Sequence, residues 1–114
     1  MEKQTAALGA GHDYRLYAAT TLGLALSALG RHAEAEMLLR DTHARFARTL
    51  GAEHQYALRA SSALGHALVA QGGRAAVDEG LALLRAAHAR QAALFPDHVV
   101  TRRTAARLAG AGGP

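Results

Sequence analysis

Leu22-Gly23-Leu24-Ala25-Leu26 returns 42 residues later as Leu64-Gly65-His66-Ala67-Leu68. Upstream of it, Leu8-Gly9-Ala10-Gly11-His12 returns as Leu50-Gly51-Ala52-Glu53-His54 at the same displacement, and downstream Gly30 returns as Gly72. Further on, Leu39-Arg40 with His43-Ala44-Arg45 recurs as Leu84-Arg85 with His88-Ala89-Arg90, now displaced by 45, so three residues are inserted near Ala75-Ala76-Val77. The histidine junction appears a third time in Phe95-Pro96-Asp97-His98, displaced by 44 from His54. Two near-identical units and the start of a third identify a repeat protein, in which each unit buries its apolar face against the next.

Each unit divides into two helices. Leu16, Ala19, Leu22, Gly23, Leu26 and Leu29 fall at three- and four-residue spacing, the mark of an amphipathic helix. Gly30-Arg31 ends it, because glycine tolerates the left-handed backbone of a helix terminus. A second stripe follows in Ala35, Leu38, Leu39, Thr42, Phe46 and Leu50. Its outer side carries Glu36 before Arg40 and Asp41 before Arg45, each pair in the favourable order for helix ion pairs, worth ~0.2–0.5 kcal/mol. The second unit predicts a helix from Tyr56 to Ala70, a turn at Gln71-Gly72-Gly73 and a helix to Leu94. Phe95-Pro96-Asp97 then breaks the chain with Asp97 as N-cap, and a fifth helix runs from His98 to Ala109. The fold class is all-α: an antiparallel helix-hairpin solenoid of five helices in two and a half repeats. Residues 1–11 form a lead, the end of a preceding helix; residues 12–109 form the repeat domain; residues 110–114 form a disordered tail.

Composition agrees. Half of the 114 residues are apolar, but aromatics supply only 4%, which suits close helix packing by small side chains better than a sheet. Cysteine is absent, which excludes disulfides, zinc–thiolate sites and cysteine nucleophiles. No signal-peptide core and no apolar run of about 18 residues occurs, so the expected location is cytoplasmic, with no membrane partner. The net charge is +4, yet most cations alternate with acids, as a solvated helix face does. Nucleic-acid binding needs clustered charge and is not expected. Arg102, Arg103 and Arg107 alone form a basic group without nearby acids.

Leu22-Gly23, Leu26, Gly30-Arg31-His32, Ala33-Glu34-Ala35 and Leu39 resemble the tetratricopeptide repeat, with its Leu-Gly pair, glycine turn and following alanine. The period of about 42 residues and the Leu-Gly-x-x-His junctions further resemble the kinesin-light-chain-like subtype, over nearly the whole chain. Proline usually follows the junction histidine in that subtype; here Asp13, Gln55 and Val99 follow it. Gly80 stands where a tight-packing alanine is expected, and glycine inside a helix costs ~0.8–1 kcal/mol relative to alanine, so this spot is predicted to be loose.

The resemblance implies a protein-interaction module, an adaptor, scaffold or regulatory subunit, whose first helices line a concave face. That face would carry Tyr17, Thr20, Thr21, Leu24 and Ser27 from the first unit. Arg59, Ser62, Ala63, His66 and Val69 come from the second, and Arg103 and Arg107 from the last helix. Relatives hold a peptide carboxylate there with lysine, asparagine and arginine. This chain has no asparagine, and Thr21 and Ala63 occupy those slots, so that clamp is not expected. Arg59, Arg103 and Arg107 remain suited to an acidic partner segment.

His12, His54 and His98 lie one repeat apart and cannot converge on one metal ion; a ring nitrogen bonding a helix-end backbone group explains them better. No nucleophile elbow, phosphate loop or convergent carboxylate pair occurs, so neither a cofactor nor catalysis is expected. A second reading is self-association into a homodimer through Leu24, Val69 and Leu108. A third is a separated part of a multidomain bacterial regulator or kinase.

Overall fold

The computed structural model describes the backbone of residues 2–111 and the side chains of residues 13–111. Five helices follow one another: α1 (Glu2–Ala28), α2 (His32–Leu50), α3 (Gln55–Gln71), α4 (Arg74–Leu94) and α5 (Val99–Gly110). No strand occurs among the described residues. Consecutive helices pack as antiparallel hairpins, and α3 also touches α1 and α5, so the first helices of successive units stand side by side. This is the expected all-α hairpin solenoid.

Glycine makes the turns. Gly30 and Gly72 sit at φ +82° and +81°, a conformation that side-chain-bearing residues rarely adopt. Past Gly30, Arg31 donates its backbone N–H to the Leu26 carbonyl at 2.9 Å, closing the end of α1. The starts of α3 and α5 are capped by histidine: His54 Nδ1 accepts from the Tyr56 N–H at 3.1 Å, and His98 Nδ1 from the Val100 N–H at 3.0 Å. The cap of α5 is therefore His98 and not Asp97, because the imidazole two residues before Val100 reaches its N–H. Both rings pack at the junction, His54 on Tyr56 and His98 on Phe95.

Two expected boundaries change. α1 runs unbroken through Leu8–His12, where the equivalent Leu50–His54 segment turns. At Leu50–His54 the chain must reverse to lay α3 on α2, and Gly51 opens at φ +96° to allow it. No such reversal is imposed at Leu8–His12; the His12 side chain lies outside the described residues. At the other end, Gly110 completes α5 and the Ala111 N–H bonds the Arg107 carbonyl. Residues 112–114 of the expected tail lie outside the described residues.

The core is built on α3. Ala57, Leu58, Arg59, Ala60, Ser61, Ser62, Ala63, Leu64, Gly65, Ala67 and Leu68 are all buried, since four other helices surround this one. Ala35 and Leu39 of α2 join Ala63, Leu64, Ala67 and Leu68 in one cluster, and Leu16 and Phe46 join Ala57 and Ala60 in another. Each fully buried leucine or phenylalanine stabilises the fold by ~1.5–3 kcal/mol. The second stripe is confirmed, with Ala35, Leu39, Thr42 and Phe46 buried. The first is confirmed only in part: Leu16 and Gly23 are buried, but Leu22 and Leu29 are exposed, because no helix covers that side of α1.

Gly80 is not a loose spot. A Cβ there would lie 2.6 Å from the Gly65 carbonyl oxygen, and one on Gly65 would lie 2.8 Å from the Gly80 oxygen. The two glycines let α3 and α4 cross with backbones nearly touching, and Leu84 is fully buried beside them. Outside, the expected Glu36–Arg40 and Asp41–Arg45 pairs form at 2.9 Å each. Arg40 also reaches Glu79 of α4 at 2.8 Å, and Arg90 pairs with Glu53. These exposed pairs contribute little, ~0–1 kcal/mol each.

Candidate functional site

α1, α3 and α5 together line an open groove of about 690 Å³. Tyr17 and Tyr14 come from α1, Tyr56 and Arg59 from α3, Val100 and Arg103 from α5, and Asp13 stands among the α1 residues. A smaller hollow of about 370 Å³ adjoins it between α3, α4 and α5, with His66, Val69 and Arg107 in its wall. Arg103 belongs to both hollows, so the two form one continuous face.

Arg59 anchors this face. Its residue is only 8% exposed, and its guanidinium lies 4.3 Å from the centroid of the Tyr17 ring, a cation–π contact. Nη2 donates to the Thr21 hydroxyl at 3.4 Å, while Nη1 is buried with no hydrogen-bond partner among the described residues. Tyr17 meets Tyr56 edge-on at 5.4 Å, and Tyr56 in turn leans on Phe46. Arg107 donates to the Ser62 hydroxyl at 2.8 Å, and the Thr104 hydroxyl donates to the same oxygen at 2.8 Å. Ser62 thus ties α5 to α3 beneath the groove.

The electrostatics are one-sided. Burial lowers the pKa of Arg59, and the Arg103 charge lowers it further, against a raising effect from Tyr17. Burial, then the charges of Arg103 and Arg59, push Arg107 down to about 10. Both stay protonated at neutral pH, but their charged forms are disfavoured in the free protein. Among the described residues no carboxylate lies within ion-pair distance of Arg59, Arg103 or Arg107. Burial, followed by the Arg107 charge, likewise lowers the pKa of His66.

Of the residues expected on the concave face, Tyr17, Arg59, Arg103, Arg107 and His66 line these hollows. Ser62 lies fully buried just below them. Thr20 and Leu24 do not belong to the face. Thr20 is fully buried and bonds the Leu16 carbonyl, and Leu24 packs on the central cluster, because that side of α1 lies against the other helices. Tyr56 was missed, although its recurrence from Tyr14 at the 42-residue displacement was the available signal. Val100 and Gln55, at the starts of α5 and α3, line the groove as well. Of the residues expected to carry self-association, Leu108 is buried, and Leu24 and Val69 are partly buried within the helix packing. Among the described residues no group of three or more metal-ligating side chains gathers, and no helix is long and apolar enough to cross a membrane.

Residues 15–56 match the family model described as tetratricopeptide repeat, which supports a repeat of that family over this stretch, and repeats of this kind generally mediate protein–protein interaction. Neither the curated proteins nor the solved structures contain a match to the chain.

Proposed function

We propose that this chain is a protein-interaction module whose groove receives an acidic segment of a partner protein. The observation carrying this reading is the convergence of Arg59, Arg103 and Arg107 on one face with no carboxylate partner among the described residues. Three guanidiniums, two of them with pKa lowered by burial, repel one another in the free protein. An incoming carboxylate relieves that repulsion and accepts paired hydrogen bonds, which contribute ~1.5–3 kcal/mol for a bond to a charged group. Tyr17 and Tyr56 supply an apolar wall beside the charges. Asp13 on the α1 side repels acids, so the acidic residues of the segment go toward Arg103.

The 42-residue period supports a kinesin-light-chain-like repeat. Binding without catalysis, as an adaptor or regulatory subunit in the cytoplasm and without a cofactor, is the role this reading assigns. The test uses a fluorescein-labelled decapeptide of alternating glutamate and glycine. We expect saturable binding that weakens as salt rises and is lost in the Arg103→Glu, Arg107→Glu double variant, with Arg48→Glu on α2 as a neutral control. Binding equal in wild type and the double variant refutes the reading.

A further inference from the structure

Tyr14, Ala18, Leu22 and Ala25 make one stripe along α1, and all four are exposed, Tyr14 to 75% and Leu22 to 54%. At the 42-residue displacement this stripe has a twin on α3, identical at every position: Tyr56, Ala60, Leu64 and Ala67. On α3 the twin is covered. Ala60, Leu64 and Ala67 are 3% exposed or less, and α2 is the helix that lies across them. Phe46 meets Tyr56 with ring centroids 5.7 Å apart, while Ala35 and Leu39 sit in one cluster with Leu64 and Ala67. α1 therefore displays, uncovered, the same four side chains with which α3 holds α2.

We infer that this face of α1 docks an amphipathic helix supplied by a different protein. The helix is of the α2 type: a small residue, a leucine four positions on and an aromatic eleven on, as Ala35, Leu39 and Phe46 stand in α2. It runs antiparallel to α1, as α2 runs to α3. One position departs from the twin and sets the chemistry of the occupant. Arg15 stands where α3 has Ala57, which is fully buried in the cluster that Phe46 shares and Leu50 flanks. A docked helix must place an acid near its C-terminal end to meet that guanidinium, since an unpaired charge there would be desolvated. A second copy does not fit. Its α2 face is consumed in its own core, and the paired α1 stripes would offer no acid, because Arg15 is the one charged residue from Tyr14 to Ala28.

The probe is a synthetic peptide spanning residues 31–51 of this chain, with a second version carrying Leu50→Glu. By fluorescence anisotropy the parent peptide is expected to bind the full chain, and Leu22→Asp to weaken it by about tenfold or more. The Leu50→Glu peptide is expected to bind about threefold tighter, and Arg15→Ala to erase that gain. Amide shifts should appear at Ala18 and Ala25. Shifts at Ala60 and Ala67 instead mean that the peptide displaces α2 and overturn the proposal. Binding indifferent to Leu22→Asp, or absent at the highest soluble peptide concentration, also overturns it. So does dimerisation of the chain in sedimentation that Leu22→Asp abolishes. Should Leu22→Asp lower the melting point, Ala18→Glu, on the same stripe and outside the groove, takes its place. Arg103→Glu leaves peptide binding unchanged, which separates this face from the groove.

Discussion

Gly80→Ala reverses sign between two levels of reasoning. Gly80 lies inside α4, where alanine is favoured over glycine by ~0.8–1 kcal/mol, so helix propensity alone makes the substitution stabilising. At the α3 crossing, however, the new methyl would lie 2.6 Å from the Gly65 oxygen, 2.9 Å from Val69 Cγ2 and 3.0 Å from the Val69 nitrogen. Two of those atoms belong to the α3 backbone and cannot rotate aside. Relief requires the helices to part, which loosens the contacts of Leu84 as well. Overpacking of this kind typically costs ~1–3 kcal/mol, and a rigid carbonyl as obstacle places this case at the upper end. Subtracting the propensity gain leaves a net loss of about 1–2 kcal/mol, or roughly 4–8 °C in melting temperature for a domain of this size. Thermal and urea unfolding followed by circular dichroism measure it. Gly110→Ala is the matched control, since a Cβ there has nothing within 4 Å, and it should melt at or slightly above wild type. If Gly80→Ala melts at or above wild type, the close-crossing argument is wrong.

Three further outcomes follow from the same packing. His54→Ala should destabilise by about 1 kcal/mol through loss of the cap on α3, whereas His54→Asp, whose oxygen can accept the same N–H, should recover most of it in chemical denaturation. Gln91 is fully buried with neither side-chain polar atom bonded among the described residues; Gln91→Met should raise stability by about 1 kcal/mol in urea titration, and a loss would mean that the amide is satisfied. Burial lowers the pKa of His43 and, with help from Arg107, of His66, so the unfolded chain binds more protons than the folded one. Stability should therefore fall as pH drops below the ordinary histidine value of about 6.5, and His43→Gln with His66→Gln should flatten the melting temperature between pH 7.5 and 5.

The repeat carried most of the fold. Periodicity placed all five helices, because a 42-residue recurrence repeats the turn glycines together with the apolar stripes they separate. Two of the three junction histidines, His54 and His98, were legible as helix-end groups, whereas α1 runs unbroken through His12; the choice between Asp97 and His98 depended on which atom reaches the Val100 N–H. What stayed hidden was relational. Gly80 looks like a defect until Gly65 is seen opposite it. Leu22 fits an apolar stripe on a wheel, yet only the count of neighbouring helices decides that it is exposed. Thr20 and Leu24 share α1 with Tyr17, and a few tens of degrees around the axis separate the groove from the core. In the groove, the cationic members were readable as residue types. Their lack of acidic partners among the described residues was not, because pairing such as Arg40 with Glu79 joins residues 39 apart in sequence.

The histidine caps have a consequence at the level of single hydrogens. His54 and His98 each accept a backbone N–H through Nδ1. A neutral imidazole that accepts at Nδ1 must carry its own hydrogen on Nε2. The two rings are thereby held in the same tautomer, with Nε2–H left as the donor. Each junction from α2 to α3 and from α4 to α5 is thus marked by a fixed proton position as well as by a turn of the backbone.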